Sequence, residues 1–383
     1  MKSLRLILSN PRYFGPAWIF ASLNILFGTW AIYIPIIKES LALNKASLGF
    51  AIFFLSLGNF MIFPIASSII NKIGVGKASW YGAILICGAS ILPFLAPNYY
   101  GLISALFIYG AANGFTDIAI NTLVTEIEKE DNQNFMSAAH GFFSLGGVIA
   151  GLSSFLIVLL DNKIIHIVIT VFIVLLLNTL FYKKYVHIVA APIEKEAFKL
   201  KNFRPLFILG VVSFIIMGSE GAIVDWSGIF LQEVNLAPEK LIGTGFLAFS
   251  ITMTLGRFLA DGISAKIGSI KIVSLGALLA IAGYFLVLLG QIYVAIVGFA
   301  LIGIGFSAII PELFRIGGNI KGVASSQGIA FIAGTGISGF LLGPVVLGFL
   351  AETYSIETSF ILLLFCSLLV LGASFILKRK RST

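Results

Sequence analysis

Residues 207–226 read FILGVVSFIIMGSEGAIVDW, twenty residues with only two charges. At about 1.5 Å of rise per residue, a helix of this length covers about 30 Å, the thickness of a bilayer's hydrocarbon core. The pattern recurs along the chain, with apolar spans near 14–37, 47–71, 76–96, 99–125, 137–160, 163–186, 204–232, 241–263, 268–290, 292–315, 325–350 and 355–378. Apolar residues make up 58% of the chain and charged ones 11%, against about 25% charged in an ordinary soluble domain. The runs lack the period-two alternation of a membrane barrel. In lipid every backbone polar group must be satisfied within the segment, which leaves the helix. The sequence predicts an all-α membrane protein with twelve transmembrane helices.

One long polar connection, with Pro192, Glu194, Lys195, Glu196 and Lys199, divides the spans six and six. The expected organisation is a six-helix bundle over 1–186, a cytoplasmic linker over 187–203 and a second six-helix bundle over 204–383. A weak echo joins the halves: Ser137-Ala138-Ala139-His140-Gly141-Phe142 opens the fifth span, and Ala324-Ser325-Ser326-Gln327-Gly328-Ile329 opens the eleventh. Repeats of this kind build many secondary transporters. Placing both termini in the cytoplasm puts twenty of the 25 Lys and Arg residues inside and four outside, with Arg257 within a span. That is a strong positive-inside bias. The net charge of +8 then reflects topology, and nucleic acid is not expected as a partner. The first apolar stretch is too long for a removable signal peptide and lacks a small-residue cleavage site. Cys87 and Cys366 fall within spans and read as reduced packing residues.

An ionisable group inside a bilayer costs at least about 2.5 kcal/mol, so each needs a partner, water or a function. Glu220 lies near the centre of the seventh span, with Asp225 five residues further out. Five residues turn a regular helix by about 500°, which leaves the two carboxylates about 140° apart. They share a cavity only if the glycines beside Glu220 break the helix. Asn113, Asp117 and Asn121, spaced by four, form one polar stripe on the fourth span. Asn24 and Asn59 also fall near mid-depth. A carboxylic acid in low dielectric resists ionisation and can carry a proton at physiological pH. Glu220, Asp117 and Asp225 are therefore the candidate proton-coupling groups. Asn24, Asn59, Asn113, Asn121, Trp30 and Trp226 are the candidate substrate contacts. Towards the cytoplasmic side, Arg257 and Asp261 on the eighth span and Glu312 and Arg315 on the tenth could form gating bridges. His140 at the start of the fifth span joins them, read as a neutral histidine bonded to a neighbouring helix.

No phosphate-binding G-x-x-x-x-G-K-[ST] sequence is present, which argues against ATP-driven pumping by this chain. Three scattered histidines and two cysteines give no metal-site spacing, no cofactor is expected, and no catalytic constellation marks an enzyme.

Several motifs occur in order: Trp30-Ala31 with Pro35 and Lys38, Asp117-Ile118-Ala119-Ile120-Asn121, His140-Gly141-Phe142-Phe143-Ser144-Leu145-Gly146, Glu220-Gly221 with Asp225-Trp226, Thr254-Leu255-Gly256-Arg257-Phe258, and Gly343-Pro344 through Gly348 to Glu352. In these the chain resembles, over essentially its full length, the major facilitator superfamily. Within it the likeness is to bacterial inner-membrane carriers of the YbjJ type, distantly similar to fucose permease. The resemblance implies alternating access, with helices one, four, seven and ten lining a central cavity. The chain departs from the family pattern at two places. Asn71-Lys72-Ile73-Gly74 stands where an acidic D-R-x-G loop is usual, and Tyr33 where a basic residue is expected.

The expected function is proton-coupled secondary transport of a small polar metabolite, such as a sugar or sugar derivative, by a monomer in the cytoplasmic membrane. Protons and membrane lipids are the other partners. The alternatives are a proton antiporter exporting an amphipathic compound, and a non-transporting receptor on the same fold.

Overall fold

A computed structural model describes residues 2–133, 135–189, 205–317, 319–320 and 325–382. Among them there is no strand, and twelve long helices follow in order. They are α1 (Pro11–Ser40), α2 (Lys45–Ile73), α3 (Val75–Leu95), α4 (Tyr99–Asp131), α5 (Met136–Ser153) and α6 (Lys163–Phe181), then α7 (Phe207–Glu233), α8 (Thr244–Ile267), α9 (Ser269–Leu288), α10 (Ile292–Ser307), α11 (Ser325–Thr353) and α12 (Ile356–Ser382). Asparagine starts several of them. Asn10, Asn98 and Asn162 each accept a hydrogen bond from a backbone N–H of the following turn, satisfying donors that a helix start leaves over.

Among the described residues, eleven segments are long and apolar enough to cross a membrane. The remaining expected span, the fifth at 137–160, is interrupted. After α5 the Ser154 and Phe155 N–H groups bond carbonyls only three residues back, and a short helix, Leu156–Leu160, completes the segment. Ser153 Oγ adds to the tightening by donating to the Ala150 carbonyl at 2.7 Å. Such back-bonding bends helices. The tenth span also breaks, at Ala308, between α10 and a short helix at Ile309–Gly317, where Ser307 Oγ donates to the Ile304 carbonyl at 2.7 Å.

By its contacts the chain divides into two compact units, Met1–Leu43 with Ala51–Glu194, and Asn44–Phe50 with Lys195–Thr383. The first turn of α2 thus counts with the second unit. There Lys45 Nζ pairs with Glu233 at 2.8 Å and its N–H donates to Glu352 at 2.8 Å.

Small residues let helices in each unit approach to backbone distance, the usual packing device in lipid. In the first, Gly146 of α5 meets the Ala21 backbone of α1, and Gly110 of α4 meets that of Leu55. In the second, Gly339 of α11 meets the Phe214 backbone of α7. Aromatic rings also pack on one another, Phe94 edge to face with Trp30 and Tyr33 in one unit and Phe299 edge to face with Phe230 and Phe360 in the other.

The same turn recurs in both units. Lys72-Ile73-Gly74 ends α2 and Lys266-Ile267-Gly268 ends α8, with Gly74 at φ +89° and Gly268 at φ +85°. Only glycine takes that conformation without strain.

Candidate functional site

In the first unit the polar stripe of α4 is real and half-exposed. Asn113, Asp117 and Asn121 share one face, with buried Gly114, Phe115, Thr116, Ala119 and Ile120 between them. The Asn121 amide donates to both the Asp117 backbone carbonyl, at 2.9 Å, and its carboxylate, at 3.1 Å. On its other side Asn121 Oδ1 lies 3.2 Å from His140 Nε2 of α5. Because that oxygen only accepts, the proton of this bond sits on Nε2. The imidazole also packs on Phe20 of α1, ring centroids 4.6 Å apart. Asp117, Asn121 and His140 therefore form one connected chain across two helices. Asn24 holds α1 to α5 by donating to the Phe143 carbonyl at 2.9 Å. Asn59 of α2 lies against Gly114 of α4.

In the second unit α7 stays continuous through Gly218-Ser219-Glu220-Gly221, so its two carboxylates point apart. Glu220 pairs with Arg257 of α8 at 3.3 Å, the side chains 18% and 27% exposed. Asp225 is buried, and among the described residues its Oδ1 has no hydrogen-bond partner. The sequence grouped Arg257 with Asp261, one turn along α8; the structure turns Arg257 towards Glu220, and the Asp261 side chain lies outside the described residues. Glu312 is fully buried and pairs with Arg315 at 2.9 Å. Arg315 Nη1 also donates to Ser264 of α8 at 2.7 Å. Trp30 and Trp226 are both buried in the core of their units. Among the described residues, no group of three or more His, Cys, Asp or Glu could hold a metal ion.

Polar residues at membrane depth on several helices, paired across helix boundaries, are the mark of a pathway through a bundle. The profile of the Major Facilitator Superfamily matches residues 17–319. The chain belongs to that superfamily. This major facilitator is 30% identical over 346 residues to an uncharacterized MFS-type transporter of Yersinia pestis, covering 90% of this chain and 89% of that one. It is 27% identical over 361 residues to the membrane protein MosC of Rhizobium meliloti, covering 94% and 88%. Its fold is similar to that of the nucleoside transporter NupG, at a TM-score of 0.72, 16% identity and coverage of 96% of this chain and 98% of that one. A bacterial homologue of the human lysosomal transporter Spinster gives a TM-score of 0.74 at 11% identity, covering 96% of each chain. The protein is a multi-pass membrane transporter.

Two polar groupings of this transporter escaped the sequence reading. Tyr33 of α1, noted only as a departure from the family pattern, bonds His166 Nδ1 of α6 at 3.0 Å, and both are buried. Arg12, counted only as a topological charge, reaches Asp131 at 2.8 Å and Glu130 at 2.6 Å, while the Tyr13 hydroxyl donates to Asp131 at 2.9 Å. This cluster ties the start of α1 to the end of α4. One signal was available for the first grouping: His166 is an ionisable residue inside an otherwise uncharged apolar run.

Proposed function

We propose that this transporter is a proton-coupled carrier of the cytoplasmic membrane, with both termini cytoplasmic. It moves a small polar metabolite, a sugar or sugar derivative, by alternating access. The functional halves are 1–186 and 204–383. The observation that carries the reading is that each unit holds an acid at membrane depth bonded to a partner with other options. Asp117 is joined to Asn121, and Glu220 to Arg257. A carboxylate that takes up a proton gives up its ion pair, and a sugar hydroxyl or ring oxygen can then accept from Arg257. Asn113 and Asn121, half-exposed on one stripe, suit a cargo rich in hydroxyls, since an amide both donates and accepts. Substrate and proton are thereby linked, because each changes what the other's site must satisfy. NupG carries nucleosides on a similar fold, so ribose-bearing compounds belong among the candidates.

The test is lumenal pH in proteoliposomes while sugars, sugar acids, nucleosides, amino acids and cationic dyes are added outside. One polar class is expected to acidify the lumen, the sign of symport, and Glu220→Gln or Asp117→Asn is expected to abolish the shift. Alkalinisation by the dyes would replace this reading with proton antiport. Exchange of a polar substrate without any pH change would remove proton coupling.

A further inference from the structure

The first unit carries an apolar groove between α2, α3 and α4. It is formed by Ile62, Ile69 and Ile73 of α2 with residues on the facing sides of α3 and α4, and has a volume of about 740 Å³, in the range that takes a drug-sized molecule. Among the described residues its lining is apolar apart from Tyr81, and Ile69, Tyr81, Leu85 and Ile108 are exposed. Gly88 lies on its floor, and a Cβ built there meets nothing within 4 Å. From Tyr81 to Leu92 the groove runs about 16 Å along α3, about half of a bilayer's hydrocarbon core. It has the depth of one leaflet.

Among the described residues, the charges nearest one end of the groove are basic. Lys77 stands four residues before Tyr81, on the groove face of α3, and Lys72 one residue before the groove-lining Ile73 of α2; both are exposed. The turn between them is held by residues 182–189. The Gly76 N–H donates to the Ile188 carbonyl at 2.9 Å, and Tyr182 packs on Trp80 with ring centroids 5.2 Å apart. That segment adds exposed Lys183, Lys184 and His187. The carboxylates at the end of α4 are engaged elsewhere: Glu126 with Lys129, Glu130 and Asp131 with Arg12, and Glu128 with the Phe135 and Met136 N–H groups. Trp80, Tyr81 and Tyr182 mark this level as the membrane–water interface, where aromatic rings collect.

We propose that this groove is a binding site for one anionic phospholipid, with an acyl chain along α3 over Gly88 and the headgroup phosphate between Lys72 and Lys77. The volume and depth fit the chain, and the lysines, which among the described residues have no carboxylate partner, fit the charge. The two features meet on one face of α3.

Native mass spectrometry of the full-length protein, titrated separately with phosphatidylglycerol and phosphatidylcholine, tests the proposal. Wild type is expected to retain one phosphatidylglycerol about tenfold more tightly than phosphatidylcholine. Lys72→Gln/Lys77→Gln is expected to erase that preference, and Gly88→Phe to remove the tightly held lipid of either kind. Gly372→Phe serves as a control: it too fills open space, but away from the groove, and is expected to behave as wild type. All these sites are exposed or open, so the fold tolerates the changes, and unchanged melting temperatures check this. Equal retention of the two lipids by wild type, or a preference that survives both groove variants, overturns the proposal.

Discussion

The pairing of Glu220 with Arg257 sets a specific energetic problem. Each charge was removed from bulk water, and their side chains remain only 18% and 27% exposed. Removing Arg257 leaves the Glu220 charge without this partner at membrane depth. Arg257→Ala is expected to cost about 1–3 kcal/mol, less than for a fully buried pair because both groups keep some contact with solvent. Glu220→Gln/Arg257→Ala is expected to recover much of that loss. A double-mutant cycle on thermal stability in detergent measures it, and additive effects would mean that the two side chains do not act together. Both residues were visible in the sequence as costly charges, but their partnership was not. Depth along a helix follows from counting residues, whereas the rotation of α7 against α8 is a tertiary property. Tyr33 and His166 make the same point, since 133 residues separate two groups that share one hydrogen bond.

At the scale of helices, length and hydropathy were legible because the bilayer dictates both. The interruptions at Ser154 and Ala308 were not, because the runs stay largely apolar across them and the serines at 153, 154 and 307 do not by themselves announce a break. The turns after α2 and α8 also passed unnoticed as a pair; their shared Lys-Ile-Gly is three residues long, too short to stand out without the matching dihedrals. Those dihedrals yield a prediction. Gly74→Ala and Gly268→Ala are each expected to lower stability by about 1–3 kcal/mol through backbone strain. A Cβ at Gly268 meets nothing within 4 Å, so crowding is not the cause. Gly88→Ala, equally open but within a regular helix, is expected to be neutral or slightly stabilising. Differential scanning fluorimetry of the three variants decides it; equal behaviour would remove the strain argument.

Across the whole molecule, the proposed orientation makes a statement about accessibility. Lys163 opens α6 and Lys183 follows it, so the two lie at opposite ends of a membrane-crossing helix. In intact cells Lys163→Cys is expected to react with a membrane-impermeant maleimide and Lys183→Cys to react only after lysis. The reverse result would invert the topology while leaving the fold unchanged. The repeated turn bears on how such a topology is reached. Six spans separate the Lys72–Lys77 turn from the Lys266–Lys271 turn, and an even number brings both to the same side. Each half therefore casts its own vote on orientation during biosynthesis, and the votes agree. A lysine lost from one turn leaves the other ballot standing, a redundancy that a single basic loop could not provide.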